Sequence, residues 1–109
     1  MVTVPVTDEW VETVRLFGNI EQVVQAALRD YSVEQCQQRI NKAAAAIARY
    51  NQKYNCDYKH FQQAVQTDAD FLTAVEAENP LWEEDAAEWA YWLEEQQTWL
   101  NRLGDILQR

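Results

Sequence analysis

Between Val33 and Tyr54 the apolar residues alternate at spacings of three and four: Val33, Cys36, Ile40, Ala43, Ile47, Tyr50 and Tyr54. That is an a/d heptad seam, and it predicts a helix that packs lengthwise along another helix. The positions between are mostly polar, among them Glu34, Gln37, Gln38, Arg39, Lys42, Arg49 and Lys53. The run Ala43 to Ala46 favours helix and has small side chains, so a neighbouring backbone can come close there. Ser32, with Gln35 in the capping-box position, marks the expected start of this helix. Upstream, Ile20, Val23, Val24, Ala27, Leu28 and Tyr31 share a helical face, but out of phase with the seam. The break in phase predicts a kink at Ser32, or two helices nearly end to end.

The chain has 109 residues, the size of one modest domain, and only two Gly and two Pro punctuate it. A largely helical protein is expected. Val2-Thr3-Val4-Pro5-Val6-Thr7 is the exception, because it alternates apolar and polar at period two, as a strand does. A lone strand does not stand without pairing. No second strand is visible, so its natural partner is the same strand of a second copy, with Pro5 turned so that its nitrogen lies outside the ladder. Thr7 then caps a short helix whose inner face is Trp10, Val14 and Phe17, ended by Gly18, and Asn19 caps the next helix.

Asn55-Cys56-Asp57 stops the seam helix, and Asp57 caps a short helix with Tyr58, Phe61 and Val65 inward. Asp68 or Asp70 starts another short turn through Phe71, Leu72 and Val75. Asn79-Pro80 is the clearest break in the chain. A final helix runs from Leu81 to about Leu107, with Trp82, Ala86, Trp89, Leu93, Leu100, Leu103 and Leu107 on one line.

Charge divides the chain. Residues 1–56 balance six acids with six bases, whereas residues 57–109 carry twelve acids and three bases, and so the whole net charge of −9. Trp82, Trp89, Trp92 and Trp99 lie in the same acidic half. Such a half is either a solvated helical surface or a binding segment for a basic partner.

Residues that carry chemistry are sparse. His60 is the only histidine and reads as a surface residue. There is no Gly-rich phosphate loop, nucleophile elbow or paired Cys/His spacing. Glu84, Asp85 and Glu88 share a turn, but helical carboxylates without a companion His or second carboxylate helix are usually solvated. The expectation is a non-enzyme with no catalytic residues, no metal and no cofactor. Cys36 and Cys56 form neither a disulfide framework nor a metal motif, no apolar run approaches a membrane span, and Met1 to Pro5 lacks a signal-peptide pattern. A cytoplasmic protein is expected, with no membrane contact.

The order of strand, short helix, Gly18-Asn19 turn and longer helix resembles that of ribbon–helix–helix proteins, in which strands from two subunits pair and enter the DNA major groove. Further on, Ala48-Arg49-Tyr50-Asn51-Gln52-Lys53-Tyr54-Asn55-Cys56-Asp57-Tyr58-Lys59-His60-Phe61 and Asp85-Ala86-Ala87-Glu88-Trp89 are similar to the second half of small prokaryotic antitoxin-type proteins. The resemblance implies a mainly α fold in three parts. Residues 1–31 form a ribbon–helix–helix-like region that dimerises through Val2, Val4, Val6, Val24 and Leu28. Residues 32–56 form a long connecting helix. Residues 57–109 form an acidic, Trp-rich helical region that binds a partner. The outward strand residues Thr3, Pro5 and Thr7 stand where the family contacts bases. None is charged, so any operator binding should be weak and salt-dependent.

The function expected is that of an antitoxin that neutralises a basic toxin, one that cleaves RNA. Trp82, Glu84, Asp85, Glu88, Trp89, Trp92 and Leu93 are the partner-binding candidates, with apolar anchors inside an acidic rim. The competing arrangement packs Trp89 on this chain's own Ile47 and Tyr50. Two competing functions are a helical homodimeric interaction module and a ribbon–helix–helix repressor without a toxin.

Overall fold

The computed structural model describes residues 1–109 and contains five helices and no strand. They are α1 (Asp8–Arg15), α2 (Ile20–Tyr54), α3 (Tyr58–Thr67), α4 (Ala69–Glu78) and α5 (Trp82–Leu107). The chain divides into two compact units, Met1–Gln35 and Cys36–Arg109.

Most boundaries follow from capping chemistry. The Asn19 side chain accepts from the Glu21 amide at 2.9 Å and the Gln22 amide at 3.4 Å, at the start of α2. Asn55 takes a left-handed φ of 56°, and the Cys56 amide reaches back to the Asn51 carbonyl at 3.1 Å, closing α2 with a Schellman-type bond. Asp57 caps α3 by accepting from the His60 amide at 2.8 Å. Asp68, rather than Asp70, caps α4, accepting from both the Asp70 and Phe71 amides. Thr7 sits at the N-cap of α1, but its hydroxyl makes no cap bond there; its carbonyl accepts from the Trp10 and Val11 amides at 3.1 Å each.

The two helices laid nearly end to end at Ser32 are not found. α2 runs uninterrupted through it, and Ser32 Oγ donates back to the Leu28 carbonyl at 2.7 Å. A serine inside a helix satisfies its hydroxyl this way, and the change of apolar phase does not end the helix.

In the Met1–Gln35 unit no residue is buried. Residues 1–7 form neither helix nor strand, and Val2, Val4 and Val6 are exposed. A ladder needs a second strand, which this chain does not supply. Trp10, Leu16, Phe17, Val24, Leu28 and Tyr31 are exposed as well, Phe17 by 77%. The inner face expected of α1 therefore covers little. Gly18 takes φ +150°, which L side chains rarely adopt, at the α1–α2 turn.

The Cys36–Arg109 unit has a true core of Phe61, Val75 and Trp89. The heptad seam finds its partner here. Arg39 lies over Trp99, Lys42 over Trp92, Tyr50 stacks on Trp89, and Lys53 pairs with Asp85. The pairs climb α2 as they descend α5, so the two helices pack antiparallel. Cys36, Ala43 and Ala46 are buried on α2. α3 and α4 close the other end, with Phe61 against Phe71 and Trp82.

Candidate functional site

α5 positions the candidate partner-binding residues, and its helical period splits them between two faces. Trp89 is 0% exposed. Its ring lies 5.8 Å from Tyr50, 5.7 Å from Tyr54, and 5.4 Å from both Tyr58 and Phe61. Trp82 is half-buried against Phe61, and Leu93 is half-buried against the same core. Trp89 therefore packs on its own chain, in the arrangement that competes with partner contact. No partner can touch it without opening the core.

The acids also divide. Asp85 is half-buried, accepting from Lys53 Nζ and from the Tyr54 hydroxyl at 2.6 Å each. Asn79 Nδ2 donates to the same hydroxyl at 3.1 Å. Burial alone would raise the Asp85 carboxyl, but the Lys53 and Tyr54 bonds outweigh it and hold it below the ordinary carboxylate range. Glu88 is exposed and accepts from the Tyr50 hydroxyl. That bond, helped by burial, pushes the Tyr50 hydroxyl up to about 12. Burial and the Asp85 bond push Tyr54 up too. Asp85 and Glu88 thus tie α5 to α2. Glu83, Glu84 and Asp85 also lie in the first turn of α5, where carboxylates favour the positive end of the helix dipole.

The solvent-facing stripe of α5 contains Glu84, Glu88, Tyr91 and Glu94. Tyr91 is 52% exposed, the one aromatic ring standing clear amid these acids. Tyr91 lies outside the expected partner-binding residues, because Trp82, Trp89 and Leu93 form the line that meets the core. Tyr91 is two positions from both Trp89 and Leu93, about 200° around the helix from each, and that offset was the available signal. Trp92 is half-buried, edge-on to Tyr91 at 5.1 Å, with Lys42 above it.

At the other end of the chain, Val2, Val4, Val6, Val24 and Leu28 are all exposed, as are Thr3, Pro5 and Thr7. Trp10, Leu16, Phe17 and Tyr31 join them as exposed apolar residues beyond those expected. His60 Nδ1 sits 2.7 Å from Asp57, whose carboxyl is held low by the His60 amide first and the ring second. No group of three His, Cys, Asp or Glu is placed to hold a metal ion, and no helix is long and apolar enough to cross a membrane. No protein family, curated protein or solved structure matches this chain.

Proposed function

We propose that this chain is an antitoxin-like protein. Its acidic helical unit neutralises a basic toxin that cleaves RNA, and its N-terminal residues join two copies. One observation carries the dimerisation side of this reading: the Met1–Gln35 unit buries no side chain while Trp10, Leu16, Phe17, Leu28 and Tyr31 stand exposed. So short a segment cannot hold such a surface in water without a covering partner. The period-two residues Val2, Val4 and Val6 favour a second copy, through a two-stranded antiparallel ribbon lying over Val24 and Leu28. Thr3, Pro5 and Thr7 then face outward, and operator DNA is a weak ligand there.

The toxin-facing surface is the stripe of Glu84, Glu88, Tyr91 and Glu94. The earlier candidates Trp82, Trp89 and Leu93 act behind it as the rigid support. Acids on an exposed rim mainly steer a basic partner and select it. The net charge of −9, all of it from residues 57–109, supports this side of the reading.

Copurification from the native host tests it: a small basic protein should accompany this chain and dissociate at high salt. Recovery of the chain alone, at low salt and native expression, overturns the antitoxin reading. Recovery as a bare homodimer then favours the helical interaction module, which the exposed N-terminal face supports equally.

A further inference from the structure

α2 and α4 end at one groove. Tyr54, Asn55, Phe71, Val75, Glu78 and Asn79 line it, and its volume is about 210 Å³. Tyr54 is the last residue of α2 and Glu78 the last of α4. A helix C-terminus leaves its last carbonyl oxygens without helical partners and carries about half a negative charge, so two such ends attract a cation. A base in the last turn usually offsets that charge. The last turn of α4 has no base and carries Glu76 and Glu78 instead. Glu78 is exposed and bonds to no other residue of the chain. α2 does end on a base, Lys53, which also lines the groove. Its ammonium is paired with Asp85 at 2.6 Å, which leaves the Glu78 charge uncompensated.

The hydrogen bonds beside the groove fix a second acceptor. Tyr54 has one hydroxyl proton and donates it to Asp85 at 2.6 Å. The same oxygen can then only accept, and Asn79 Nδ2 donates to it at 3.1 Å. The amide of Asn79 is thereby oriented, and its Oδ1 has no donor. Phe71 and Val75 add apolar wall. A ligand that suits this lining has a cationic head with several donors, on an apolar stem. The arginine side chain has both, with five N–H donors in a planar fork that can serve a carboxylate and a carbonyl oxygen at once. The volume is below that of a pocket for a drug-sized ligand and suits one side chain.

We propose that this groove takes an arginine side chain of a basic polypeptide, its guanidinium held by Glu78 and Asn79 and its stem against Phe71 and Val75. The inference rests on the reading of this chain as the acidic partner of a basic protein, and it gives that protein a defined anchor. The groove adjoins the acidic first turn of α5, because Asp85 bonds to both Lys53 and Tyr54.

The peptide acetyl-Gly-Arg-Gly-amide is the probe. Its citrulline counterpart, which keeps the shape and loses the charge, is the control. Titrated into the full chain at low salt, the arginine peptide should saturably shift the Asn79 side-chain NH2 signal and the backbone amide signals of Phe71–Asn79, and the citrulline peptide should not. The lysine peptide, with a point charge and three donors, should saturate only at higher concentration. Glu78→Gln should keep the fold, since Glu78 is exposed, and should raise the arginine midpoint by roughly tenfold, the scale for losing one charge-assisted hydrogen bond. Glu76→Gln removes the same charge from the same turn but outside the groove, and should move the midpoint far less. The proposal is overturned by equal responses to arginine and citrulline, by a lysine peptide that binds as tightly, by the absence of any saturable shift, or by equal effects of the two Glu→Gln changes. A basic protein that copurifies while the peptides give no response removes the groove alone. A saturable arginine response with no copurifying protein keeps the groove and removes the toxin.

Discussion

Trp89 touches four aromatic rings and no solvent, which makes it the residue on which the Cys36–Arg109 unit most depends. Trp89→Ala should cost about 3–5 kcal/mol in urea denaturation of the isolated protein, the range for removing a large buried aromatic ring. A loss within the surface range of about 0.5 kcal/mol would contradict this packing. The indole Nε1 has no hydrogen-bond partner in its buried site. Trp89→Phe removes that donor along with some apolar area, so it should cost clearly less than the alanine change. The two tyrosines beside it predict a pH limit. Tyr50 and Tyr54 donate to carboxylates and must be protonated to do so. Their folded hydroxyls are raised above the ordinary value of 10.0. Their contribution is therefore complete below pH 10 and lost as pH rises from there toward about 12 for Tyr50. Melting temperatures should fall across that window. Tyr50→Phe should start lower near neutral pH and then fall less steeply. At the acid end Asp85 works in the opposite sense: its contribution is present above its ordinary value of 3.8 and lost as pH drops through the depressed folded value.

Among the elements, α2 differs most from expectation, and the difference can be measured. Ser32 lies inside the helix with its hydroxyl on the Leu28 carbonyl. Ser32→Ala should then be neutral or stabilising by a few tenths of a kcal/mol, through helix propensity. An N-cap serine would instead lose about 1 kcal/mol on the same change. Asp57→Ala and Asp68→Ala remove genuine caps and should each cost about 1 kcal/mol. Thermal or urea unfolding of the three variants compares them directly. The seam behaves as the heptad implies, except that its partner is α5 of the same chain, joined by Tyr50–Trp89 stacking and the Lys53–Asp85 ion pair.

For the whole molecule, the contrast between the two units sets the remaining predictions. The N-terminal unit has no buried side chain, so its amides should exchange quickly at low concentration and gain protection as copies associate. Val4→Asp places a charge in the proposed ribbon and should abolish the concentration-dependent dimer in sedimentation, with the Cys36–Arg109 unit still melting normally. A dimer that survives Val4→Asp would point to a different joining surface. Reversing Glu83, Glu84 and Glu94 to Lys leaves the Asp85 and Glu88 links to α2 intact. It should slow association with a basic partner most at low salt, and the two first-turn reversals should each also cost roughly 0.3–1 kcal/mol of intrinsic stability through the helix dipole.

Local chemistry made much of this fold readable from the residues alone. Asn19, Asn55, Asp57, Asp68 and Asn79-Pro80 bound the helices because capping and turn preferences act within a few residues of the chain. The alternating spacing of Val33 to Tyr54 announced a helix that packs on another, and from Cys36 onward it does. Local chemistry could not say which helix. Long-range packing alone decided that α5 fills the seam, which turned Trp82, Trp89 and Leu93 inward, left Tyr91 outside, and drew Asp85 and Glu88 to α2 hydroxyls. A period of 3.6 residues marks which side chains share a face; only the arrangement of the other helices determines whether that face meets the protein's own core or water.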